Sequence, residues 1–76
     1  MDKDWCFHED NTVGYYEPKG KNPHETYLIK KDKNSKEDKW FIIVMADSNQ
    51  IFMQLASNKD DAMRQIQLIY NENYGK

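Results

Sequence analysis

The sequence has one cysteine, Cys6, so no disulfide can close within the chain. A lone cysteine fits a reducing compartment or no redox role at all. Glycine is scarce, and Gly14, Gly20 and Gly75 stand apart, so there is no glycine-rich phosphate loop. Arginine occurs once, as Arg64, although arginine is the usual choice for base edges and phosphate forks. No apolar run reaches the ~18 residues needed to cross a bilayer. The opening stretch MDKDWCFHED is acidic and has no apolar centre of the kind a signal peptide carries. A soluble, cytoplasmic protein is therefore expected.

Aromatic residues are plentiful by contrast: two Trp, five Tyr and three Phe among 76 residues. Disordered chains are usually poor in such residues, so the chain is expected to fold. Its length allows one small domain, 1–76, which buries roughly 60% of the surface its unfolded form exposes. Net charge is −2 but unevenly spread. Residues 1–18 hold one lysine and five acids; residues 19–39 hold seven lysines and four acids. The middle segment is the candidate contact for a polyanion. The richness in Lys, Asn, Ile and Tyr suggests an AT-rich genome, such as that of a phage or mobile element.

The clearest element is a helix over roughly 59–73. Ser57 or Asn58 can cap it, Asp60 and Asp61 suit the positive end of its dipole, and Gly75 is a plausible stop. Ala62, Met63, Ile66, Ile69 and Tyr70 make one apolar face, with Leu68 off that stripe. Trp40-Phe-Ile-Ile-Val-Met is the best strand, and Ile51–Ala56 is its hairpin partner across the turn cluster Asp47-Ser-Asn-Gln. Thr26–Lys30 is another strand, joined to Trp40 by the polar loop from Asp32 to Asp38. Asp4–His8 and Thr12–Tyr16 read as two more, with Gly14 weakening the second or marking a bulge. Residues 17–25 hold both prolines and form a loop. The expected architecture is α+β: an antiparallel meander of four or five strands with one C-terminal helix packed on one face.

The Trp40 strand poses a physical problem. Phe41, Ile43 and Met45 share one face and Trp40, Ile42 and Val44 the other, and both sets are apolar. One helix covers one face. Leu28 and Phe52 are candidates for company on the uncovered one. An ordinary core would result if Trp5, Phe7, Tyr15 and Tyr16 folded over it. The second reading, which does not exclude the first, is an interaction surface, since interfaces favour Trp, Tyr, Phe and Met.

Catalytic patterns are weak. Cys6 and His8 share a strand face, and His24, Glu9 or Asp10 could join them around zinc, but paired ligand spacing is absent. The same pair as thiolate and base would need an orienting group and an oxyanion hole. Asp60 and Asp61 are better explained as helix N-terminal charges than as an acid–base pair. No enzyme, cofactor or metal is expected.

Three readings of function remain. The first is a small protein-binding module that inhibits or regulates a larger host protein by steric blocking, with Trp40, Tyr16 and Phe52 as contacts. Asp2, Asp4, Glu9 and Asp10 could then mimic phosphate charge on a basic partner site. The second is nucleic-acid binding by the hairpin 30–39 through Lys30, Lys31, Lys33 and Lys36, with aromatic stacking. Against it stand Asp32, Glu37 and Asp38 in the same run, and a pI near 5.6. The third is a homodimer through the open sheet face, which Ile42→Asp or Val44→Asp should break.

Overall fold

The computed structural model describes residues 3–74. Strands β1 (Trp5–Phe7), β2 (Val13–Tyr16), β3 (Glu25–Lys31), β4 (Trp40–Ala46) and β5 (Asn49–Ala56) precede helix α1 (Lys59–Tyr74). Each strand pairs antiparallel with the next, in the order β1-β2-β3-β4-β5. The α+β meander with one C-terminal helix is thus what the chain forms. Asp2 and Gly75 lie outside the described residues.

The helix begins where its capping residues dictate. Asn58 Oδ1 accepts the Asp61 N–H at 2.8 Å, and the Asn58 carbonyl accepts the Ala62 N–H at 3.0 Å. The Asp61 carboxylate reaches back to the Ser57 N–H at 3.2 Å, so each partner satisfies a donor that the first turn leaves free. Ala62, Met63 and Ile66 are buried, Ile69 and Tyr70 pack at the margin, and Leu68 is exposed. That is the stripe expected from the spacing.

Under this stripe lie Trp40, Ile42 and Val44 of β4, with Tyr27 and Ile29 opposite them on β3. Full burial of an aliphatic side chain of this size contributes ~1.5–3 kcal/mol, so these few residues carry much of the fold. The Tyr70 ring meets Tyr16 and Tyr27 edge-on, at 5.5 and 5.6 Å between centroids. Edge-to-face contact sets the positive ring rim against the negative face.

The N-terminal segment does not fold over the second sheet face. It extends the sheet sideways, because β2 can satisfy its backbone groups on the free edge of β3. Alternation then sends Trp5, Phe7 and Tyr16 to the helix side, and Tyr15 to the other. Gly14 marks no bulge. It lies directly opposite Phe7, whose ring occupies the space of the missing side chain; a Cβ there would collide with Phe7 Cε1.

The β4–β5 turn is tighter than the four-residue cluster expected. Asp47 and Ser48 have φ of 51° and 71°, and Ala46 pairs with Asn49, so two residues make the turn. Positive φ at both positions matches the twist of hairpin strands. Asn49 and Gln50 consequently belong to β5. The register then slips by one residue: Met45 pairs with Gln50 but Val44 with Phe52, which leaves Ile51 without a partner. Such a bulge turns every later side chain to the opposite face. It brings Ala56 beneath the helix against Trp40, a small residue opposite a large one.

Candidate interaction surface

The sheet face away from α1 has no covering element among the described residues. The register lays it out in rows. One row runs Met53, Ile43, Leu28, Tyr15, Cys6, and the next runs Leu55, Phe41, Lys30, Val13. Met53 and Leu55 are 53% and 47% exposed, and Phe41, Ile43 and Tyr15 are half-buried. The apolar β4 residues therefore divide as the alternation requires, with only one set beneath the helix.

At one end this face deepens into an open concavity of about 460 Å³. Phe41, Ile43 and Met53 line it with apolar groups, and Lys30, Lys31, Asp32, Lys33, Asn34 and Gln50 with polar ones. In the sequence the hairpin tip and the apolar face are separate features. The fold joins them, because Lys30 pairs with Phe41 across β3 and β4.

The loop beyond β3 is held by its own short-range bonds. Asp32 N–H donates to the Lys39 carbonyl at 2.9 Å, Asn34 N–H to Asp32 Oδ1 at 3.0 Å, and Glu37 N–H to Ser35 Oγ at 3.1 Å. Lys31 Nζ lies 2.8 Å from Asp38 Oδ1, and Lys39 Nζ lies 3.5 Å from Glu37. Lys30, Lys33 and Lys36 form no ion pair among the described residues. The four lysines of the nucleic-acid reading are thus not equivalent. Lys31 belongs to an internal network on the helix side, and Lys30 faces the open side.

Trp40 and Tyr16 are buried in the core, at 3% and 9% exposure, and burial pushes the Tyr16 phenol above its ordinary value. Neither presents a ring to a partner. Phe52 is exposed but opposes Val44 on the helix side, while Leu28 lies on the open face. Ile42 and Val44, the positions expected to break an open-face dimer, are on the covered face, so charge there would attack the core instead.

Among the described residues, Asp4, Glu9 and Asp10 do not gather into one patch. Asp4 precedes β1, whereas Glu9 and Asp10 follow it, about 17 Å further along an extended chain. Asp10 Oδ1 accepts both the hydroxyl and the N–H of Thr12, at 2.9 and 3.1 Å. Those bonds hold the Asp10 carboxyl below the usual carboxylate value, and the nearby Lys33 charge acts in the same direction. Asp10 is therefore first a turn residue.

Cys6 is exposed beside Tyr15, and the His8 ring lies 5.6 Å from the Tyr15 ring. His24 sits at the opposite end of the sheet, 3.2 Å from Asp47. Among the described residues no three His, Cys, Asp or Glu side chains are placed to hold a metal ion. Nor is any helix among them long and apolar enough to cross a membrane. No protein-family model, curated protein or solved structure matches the chain.

Proposed function

We propose that this chain is a small non-enzymatic protein-binding module that inhibits or regulates a larger protein by covering its working surface. The observation that carries the reading is the uncovered sheet face, apolar along Phe41, Ile43, Met53 and Leu55 and edged by Lys30 and Lys33. A partner segment that fits it offers apolar side chains flanked by carboxylates. The apolar groups leave water on Phe41 and Ile43, and the lysines select and orient the acidic flank. The action is steric: a sheet backed by a helix presents a preformed surface, which lowers the ordering cost of binding. Composition supports a phage or mobile-element setting, in which a host enzyme or defence complex is the natural target.

The test is affinity capture from host lysate with the tagged protein and a Phe41→Glu variant, each with and without nuclease. A stoichiometric protein that survives nuclease and is lost with Phe41→Glu supports the reading. Equal capture by both forms overturns the open face as the contact. Capture that disappears with nuclease, and with Lys30, Lys31, Lys33 and Lys36 changed to Glu, would establish nucleic-acid binding instead.

A further inference from the structure

The two edges of the sheet are built differently. β1 is three residues long and has Asp4, Glu9 and Asp10 close to its ends. β5 is eight residues long, NQIFMQLA, without a charge or a proline. Natural edge strands are commonly short, or carry lysine or proline, because their free N–H and C=O groups invite another strand. β5 has none of these guards except its bulge at Ile51, which leaves Phe52 to Ala56 as a regular edge.

The exposed large hydrophobics of the described residues converge on this edge. They are Ile51, Phe52, Met53, Leu55 and Leu68. Four belong to β5 itself. Leu68 lies one helical turn beyond Gln65, whose amide meets Gln54 of β5 at 3.4 Å, so it lies along the same flank of α1. A stable monomer has no physical reason to place its exposed apolar groups along its least protected edge.

We infer that β5 pairs antiparallel with β5 of a second copy, about a two-fold axis at Gln54. Antiparallel pairing of one edge with itself requires an axis perpendicular to the sheet, so both helices fall on the same side. It also pairs residues that share a face, and these neighbours match. Met53 opposes the second copy's Leu55 on the open side, twice by symmetry. Gln54 opposes Gln54, two amides that can bond each other. Phe52 opposes the small Ala56. The partner is another copy, not a foreign strand, because the segment complements itself and offers no charge by which to select anything else. A net charge of −2 gives little repulsion between copies. The union makes one continuous sheet and sets the two open faces side by side. It does not depend on what those faces bind. An edge of this length lies at the small end of specific interfaces, so the dimer forms in a concentration-dependent way.

Sedimentation velocity over a concentration series from micromolar to millimolar tests this. The expected result is a monomer–dimer equilibrium for the natural protein, and a monomer for Gln54→Lys, because like charges then meet on the axis. Gln54 is exposed, so circular dichroism should show that both forms are folded. Mixing Gln54→Lys with Gln54→Glu should restore association, as opposite charges then face each other. A natural protein that stays monomeric throughout the series overturns the inference. So does a Gln54→Lys variant that dimerises like the parent, or a mixture of the two variants that does not associate.

Discussion

Trp40 Nε1 donates to Asp38 Oδ1 at 2.9 Å, which ties the last acid of the lysine-rich stretch to the centre of the core. The same oxygen takes the Lys31 ammonium at 2.8 Å, and the backbone N–H of Lys59 at the start of α1 is near enough to help hold the Asp38 carboxyl below its ordinary value. Lys59 Nζ in turn stands 4.2 Å from the Phe7 ring and 5.8 Å from the Trp40 ring. Strand, loop and helix therefore meet at one carboxylate. Five lysines between 30 and 39 invite a reading as a polyanion grip, yet one of the three acids among them, Asp38, ties this stretch to the core.

That bond makes acid stability depend on Asp38. Its carboxyl is held below the usual carboxylate value, first by the Lys31 ammonium and next by the Trp40 indole N–H. A lowered value in the folded state contributes stability at neutral pH, which disappears as pH falls through that value. Asp10 and Asp61 act in the same direction, through Thr12 and through the Ser57 N–H. Asp38→Ala should lower the melting temperature at neutral pH and flatten the loss of stability on acidification. Thermal melts of both forms from neutral to strongly acid pH would show it; parallel curves would refute it.

The two faces of β4 should respond oppositely to charge. Ile42 is fully buried, so Ile42→Asp places an unpaired carboxylate in the core at a cost on the order of 5 kcal/mol, comparable to the whole stability of a small domain. It should give an unfolded chain by circular dichroism. Ile43→Asp, one residue away on the open face, should fold and lose only about 1–2 kcal/mol.

Gly14→Ala should cost about 1–3 kcal/mol, because the new methyl forces the Phe7 ring from its place. Removing that ring should relieve part of the cost. In a double-mutant cycle, Phe7→Ala with Gly14→Ala should be less destabilised than the sum of the two single changes. Simple additivity in urea melts would mean that the contact carries no coupling.

Asn58→Ala removes the acceptor for the Asp61 N–H and should cost about 1 kcal/mol. The urea midpoint should fall while the slope of the transition stays the same, since the surface exposed on unfolding is unchanged. An unchanged midpoint would show that Asn58 does not cap the helix in solution.

Local patterns in the chain were sufficient for α1 and its buried stripe, and they narrowed the cap to Ser57 or Asn58 and the sheet to four or five strands. Each depends on neighbours a few residues apart: Asn58 with Asp61, the alternation in β4, the turn at Asp47 and Ser48. The division of β4 into two apolar faces was equally legible, because side-chain period alone determines it. The candidate surface was legible only in part. Phe41 and Ile43 could be placed together, but not which set the helix would cover.

Tertiary structure decided what depends on register and on competition between distant groups. One unpaired residue, Ile51, turned Phe52 to the helix side and Met53 and Leu55 to the open face. No periodicity reports such a slip in advance, since it belongs to the pairing of β5 with β4 and not to the pattern within either strand. Trp5, Phe7 and Tyr16 could have folded across the open face; instead β2 pairs its backbone with the β3 edge, and β1 with β2. Trp40 lies in the core with its indole N–H bonded to Asp38. By itself the sequence determined which residues form each element and which of them are apolar. Which apolar residues remain outside was decided by packing, because burial belongs to the register of the whole sheet and not to any one strand.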